Sequence, residues 1–148
     1  MRQNAFYEYV LSHGLRVTSC DGDFSLPHIN AYGSPDTMPV ALQTQTNQLL
    51  AHPATRQLIY EQMMEVIGAA NALGVSALDE SFAQKMMQMT DEMVPYSPSM
   101  RLDFDFHRPM EIHYLYTRPI AEARSAGFAM PRLEMLEREL LFIDARNR

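Results

Sequence analysis

A mainly α-helical bundle with a short N-terminal β-hairpin is the fold this sequence predicts, and three observations predict it. Apolar residues recur at three-and-four spacing through most of the chain after Pro39, as in helices that bury one face. Near the N-terminus, Asp21-Gly22 separates two short stretches of alternating character, which is a hairpin signal. Pro53 and Pro131 stand where helices start and Gly74 where one ends, matching the preference for proline in the first turn and glycine past the last. At 148 residues the chain has the size of one domain with a core of its own.

Taken in order, residues 1–13 carry Phe6, Val10, Tyr7 and Leu11 at helical spacing, and Gly14 is placed to cap them. Leu15, Val17 and Ser19, then Phe24, Leu26 and Ile29, form the two arms of the hairpin, and residues 30–39 read as loop or linker. Residues 40–50 predict one short helix, with Thr46 or Asn47 as a cap for the turn that follows. From Pro53 a long amphipathic helix buries Ile59, Met63, Val66, Ile67, Ala70 and Leu73. Ser76 and Asp79 resemble a capping pair ahead of a stripe of Leu78, Phe82, Met86, Met89 and Met93. The last helix runs from about Pro131 to Asp144 and buries Leu133, Leu136, Leu140 and Ile143.

Composition narrows the function classes. A net charge of -6 without a basic run argues against a nucleic-acid surface. No apolar run approaches a membrane span, and the first residues do not read as a signal peptide. The single cysteine, Cys20, cannot close an internal disulfide, so a reducing cytoplasm is the expected setting. Twelve methionines are read as adaptable core filler and not as ligands.

Chemistry concentrates in residues 95–131, where Ser97, Ser99, Arg101, Asp103, Asp105, His107, Arg108, Glu111 and His113 crowd between apolar stretches, punctuated by Pro98, Pro109 and Pro119. Local rules conflict here. Met100, Leu102, Phe104 and Phe106 alternate with polar residues, which argues for a strand, whereas Ser99 is a good helix N-cap. His107, Glu111 and His113 invite a metal reading, but only His107 and Glu111 share a helical face, and a competent site needs three or four convergent ligands.

The run from Ser99-Met100 through Asp103, Arg108 and Glu111-Ile112 to Gly127 and Pro131 resembles the C-terminal domain of ketopantoate reductases (2-dehydropantoate 2-reductases). The resemblance covers roughly residues 40–146. It implies a helical bundle of the 6-phosphogluconate dehydrogenase C-terminal-like type, and it decides the conflict at 99–106 in favour of a helix. Residues 14–39 are similar to a piece of the family's nucleotide-binding domain. The expected organisation is therefore a remnant of that domain over 1–39 and a helical substrate-binding and dimerisation domain over 40–148.

The family reaction is NADPH-dependent reduction of 2-dehydropantoate, a 2-oxo acid, to pantoate on the way to pantothenate. The resemblance implies Glu111 as the catalytic carboxylate that orients lysine, ribose or substrate. It implies Ser99 and, by an imperfect match, Asn47 as substrate-binding, with Asp103 and Arg108 as structural partners near the cleft. Each has a plainer alternative: Ser99 as a helix cap, Glu111 as a charge favoured at a helix N-terminus, Arg108 as an ion-pair partner of Asp103 or Asp105. The chain departs from the pattern in two respects. Its six glycines are nowhere spaced as G-x-G-x-x-G, so no cofactor-binding residue is assigned. Nor does Lys85, the one lysine, match the family's catalytic lysine in its surroundings. The expectation is a shortened relative that is inactive alone and does not by itself hold NADPH. The alternative is a non-catalytic helical module whose Met-rich stripes pair with a second copy or a longer relative.

Overall fold

A computed structural model describes residues 39–74, 78–92 and 99–148; the expected hairpin lies outside them. Among the described residues six α-helices follow one another: α1 (Thr46–Ala51), α2 (Pro53–Ala72), α3 (Glu80–Asp91), α4 (Ser99–Asp105), α5 (Arg118–Ser125) and α6 (Pro131–Asn147), with a π-helical turn at His113–Thr117 leading into α5. The described residues contain no strand.

The stretch expected as one short helix is two pieces, a helical turn at 39–41 and α1, and the cap of α1 is Gln45 and not Thr46 or Asn47. Gln48 reaches back so that its side-chain oxygen accepts the Gln45 N–H at 3.4 Å, one half of a capping box. A single residue, His52, then ends α1 and caps α2, its Nδ1 accepting the Ala54 N–H at 3.3 Å while Pro53 occupies the first turn.

α2 is the hub, contacting α1, α3, α5 and α6. Of the residues expected on its inner face, Ile59, Met63, Ile67 and Ala70 are buried. They meet Leu78, Phe82 and Met86 from the α3 segment and Leu133, Leu136 and Leu140 from α6 in one core. Each of these side chains larger than alanine contributes roughly 1.5–3 kcal/mol on burial. Gly68 lets another element come close: a Cβ there would lie 2.3 Å from Cζ of Phe128.

Phe128 is held in that position by the end of α5. Gly127 takes φ +79°, the Phe128 N–H donates to the Ala123 carbonyl (2.9 Å) and the Gly127 N–H to that of Arg124 (3.0 Å). This pair of bonds is a Schellman motif, and its left-handed residue is the reason for glycine.

Where α6 begins, a buried carboxylate from α2 takes the exposed backbone donors. Glu65 accepts the N–H groups of Arg132 and Leu133, each at 3.1 Å, as well as the Arg132 guanidinium. A negative charge at a helix N-terminus with its donors satisfied is favourable on two counts.

Candidate functional site

α4 starts the candidate region. Its alternating apolar residues do not form a strand: wound into a helix, they separate into two i,i+4 pairs. Met100 is buried and Phe104 packs against the core, while Leu102 and Phe106 face out. Arg101 bonds its own helix at Asp105 (3.0 Å) and crosses to the Pro39 carbonyl (3.1 Å), fixing α4 beside the 39–41 turn.

α4 ends on a second Schellman motif, this one with His107 in the left-handed position at φ 54°. The Arg108 N–H donates to the Asp103 carbonyl (2.8 Å) and the His107 N–H to that of Phe104 (3.1 Å). A non-glycine residue there costs conformational energy, and two contacts offset it. The His107 ring shares a 2.9 Å bond with the Asn147 carbonyl, which can only accept, so Nδ1 carries the hydrogen. Asn147 also donates its amide to the Phe104 carbonyl at 2.7 Å. Across the same turn Arg108 Nε pairs with Asp103 Oδ1 at 2.8 Å, which selects Asp103 over Asp105 as its partner.

Glu111 follows directly. It lies just before the helical residues that begin at 112, and so is not in a first helical turn as the sequence led one to expect. Both neighbours, Met110 and Ile112, are buried, while Glu111 is exposed. The Ile112 N–H donates to the Met110 carbonyl at 2.9 Å, and the Met110 N–H to Asp144 Oδ1 at 3.0 Å.

The helix that follows opens in π form for an identifiable reason. Pro119 has no N–H to give to the carbonyl four residues back, and its ring would strike that carbonyl. The backbone widens instead, and the Arg118 N–H reaches His113. Tyr116 anchors the turn in the core while His113 and Tyr114 are exposed, their rings edge to face at 5.2 Å.

Of the expected site residues, Asp103 and Arg108 are therefore brought together as an ion pair. Ser99 is the first helical residue of α4 and not its flanking cap. It is exposed, as are Asn47 near the start of α1 and Glu111, and among the described residues no hydrogen bond links any two of the three. Lys85 is exposed on α3. No three His, Cys, Asp or Glu side chains converge among the described residues. His107 is turned toward Asn147 and His113 toward Tyr114, so these two rings serve other contacts.

Two buried acids, Glu65 and Asp144, were not singled out from the sequence. Asp144 did carry a signal, since it continues the i,i+4 ladder of Leu136 and Leu140 into the buried face of α6.

The family described as "Ketopantoate reductase PanE/ApbA C terminal" matches residues 30–143. The chain belongs to this family. A 2-dehydropantoate 2-reductase of Nostoc sp. is 35% identical over 111 residues, which are 75% of this chain but 34% of the relative. The crystal structure of 2-dehydropantoate 2-reductase from Geobacter metallireducens aligns with a TM-score of 0.71 at 36% identity, covering 74% of this chain and 37% of that one. A dimeric ketopantoate reductase from Staphylococcus aureus, at 16% identity, shares the fold with a TM-score of 0.72 over 100% of this chain and 52% of its own. The chain thus spans about a third of the Nostoc relative and of the Geobacter protein. Among the described residues no helix is long and apolar enough to cross a membrane.

Proposed function

We propose that residues 40–148 are the substrate-facing helical half of a ketopantoate reductase-like oxidoreductase, whose family reaction is NADPH-dependent reduction of 2-dehydropantoate. Residues 1–39 are then a remnant of the nucleotide-binding half. The observation that carries this reading is Glu111, an exposed carboxylate without a hydrogen-bond partner among the described residues, set between two buried neighbours within the family match. An acid placed in that way has its backbone anchored and its carboxylate available to a ligand. Ser99 and Asn47 supply neutral donors suited to the carboxylate and hydroxyl of a small oxo acid.

The described residues do not fit the nicotinamide cofactor. Of the described glycines, Gly68 is taken up by contact with Phe128, and Gly74 and Gly127 take positive φ at helix ends. None is free to form a phosphate cradle. On this reading the chain's part is to bind and orient the oxo acid, and the hydride comes from elsewhere.

Two measurements on the purified 148-residue chain test the proposal. Titration calorimetry with 2-dehydropantoate should show binding that E111A weakens by about tenfold or more, the usual scale for one charge-assisted contact. Absorbance at the NADPH band should show no turnover. Turnover above background would contradict the inactive reading, and E111A binding as tightly as the parent would remove Glu111 from the site.

A second reading, a homodimerising helical module, is favoured by the outer face of α6, where Met135 and Phe142 are 56% and 62% exposed.

A further inference from the structure

We infer that Asp144 is a positioning residue for Glu111, acting through the backbone of Met110. The inference rests on the reading of Glu111 as the carboxylate of the site.

Asp144 is 5% exposed, in the slot of α6 that Leu136 and Leu140 fill one and two turns earlier. A leucine would fill it without the cost of burying a charge. What the carboxylate can do and a leucine cannot is accept hydrogen bonds, and its two oxygens have separate partners. Oδ1 accepts the Met110 N–H at 3.0 Å. Oδ2 accepts Arg148 Nε at 3.0 Å, and Arg148 Nη2 as well, which keeps the carboxylate from rotating away.

Met110 is consequently fixed in every respect. Its N–H is held by Asp144, its carbonyl by the Ile112 N–H at 2.9 Å, and its side chain is 7% exposed. Glu111 comes next, and after it Ile112 at 2% exposure. The backbone of Glu111 is pinned on both sides and only its side-chain torsions are left free. The last turn of α6 also holds the end of α4 through Asn147, so one short stretch fixes both turns of the candidate region.

Without the Asp144 acceptor, the Met110 N–H would be buried unpaired and the segment would shift to find water. A displacement of about 1 Å at a binding group is enough to cost an order of magnitude or more.

The test is a double-mutant cycle on the full chain, read by calorimetric affinity for 2-dehydropantoate together with amide hydrogen exchange at Met110. D144A should weaken binding about tenfold and deprotect the Met110 amide. D144N, which keeps an oxygen facing Met110, should restore most of the affinity and the protection. In an E111A background D144A should add nothing, because the contact it positions is already gone. A purely structural role predicts the opposite, with the two losses multiplying, and that result overturns the inference while leaving Glu111 in the site. An unprotected Met110 amide in the parent chain also overturns it. A silent E111A overturns the reading of Glu111 and the inference together. Should D144A fail to fold, D144E retains the charge but displaces the acceptor, and parent-like affinity in D144E counts against the proposal.

Discussion

At Gly68 two effects of opposite sign compete, and their sizes decide the outcome. Alanine inside a helix is favoured over glycine by about 1 kcal/mol. The Cβ that alanine brings would sit 2.3 Å from Cζ and 2.7 Å from Cε2 of Phe128, whose backbone the Gly127 turn holds in place. Overpacking of this kind costs roughly 1–3 kcal/mol, so crowding wins. G68A should lower the urea midpoint, by an amount equivalent to a net loss of about 1 kcal/mol in unfolding free energy. G68A combined with F128L should lose less than the sum of the two single changes, since the smaller side chain vacates the contested space. A raised midpoint for G68A alone would mean that the ring yields freely. Contacts like this one are invisible to periodicity, which reports the face a residue occupies and not what arrives from another helix. Glu65 makes the same point. Ile59, Met63, Ile67 and Ala70 were legible as the inner face of α2, but the buried arc reaches on to Gln62 and Glu65 because helices crowd α2 on several sides. The partners that make Glu65 tolerable are backbone donors at the far end of the chain.

Helix α3 shows what one cap contributes to an element. Asp79 accepts the N–H groups of Ser81 (2.9 Å) and Phe82 (3.3 Å) and the Ser81 hydroxyl (2.5 Å). The Ser81 hydroxyl, followed by these backbone donors, holds its pKa below the ordinary 3.8. A depressed carboxylate contributes stability that is complete above the unfolded value and disappears as pH falls through the lower, folded one. D79A should therefore lower the melting temperature by a constant amount near neutral pH. Below pH 3.8 the gap to the parent should close as the cap protonates. A gap independent of pH down to strong acid would show that the charge has no part in capping. Asp91 and Glu61 are depressed in the same direction, by hydrogen bonds from Arg56 and from Gln57 respectively, so the parent's own acid transition reports all three groups, and only the difference from D79A isolates the cap. The sequence offered Asp79 only as the acid of a box headed by Ser76; in the structure Asp79 is itself the cap, and Ser76 lies outside the described residues. α4 was harder. Over so short a stretch the same alternating residues read either as one face of a strand or as two i,i+4 pairs of a helix, so the pattern alone could not choose between them. The family resemblance chose correctly. The π turn was legible only as a proline in a helical stretch, because a proline can end, kink or widen a helix according to what its neighbours anchor, and here Tyr116 is the anchor.

At the scale of the molecule, α6 leaves an apolar outer face. Met135 and Phe142 lie one heptad apart on that face, with Arg138, Glu139 and Arg146 around them, and the Arg146 guanidinium sits 5.5 Å over the Phe142 ring. The arrangement is self-complementary. When two copies of α6 cross antiparallel about the midpoint between Arg138 and Glu139, Met135 of each meets Phe142 of the other, and each Arg138 meets a Glu139. A two-fold interface requires this reciprocity, in which residue i contacts j and j contacts i. A net charge of -6 per chain opposes association in general, so pairing at this face would have to come from local apolar burial and the crossed ion pairs. Sedimentation velocity at tens of micromolar should then show a dimer, and F142E should dissociate it by placing a carboxylate against Met135 of the partner. R138E should weaken the dimer because it sets like charges opposite each other, and the exchange R138E/E139R should restore it, since the reversed pair is equally complementary. A parent chain that sediments as a monomer, or an exchange variant no better than R138E, would show that these helices do not pair in this register.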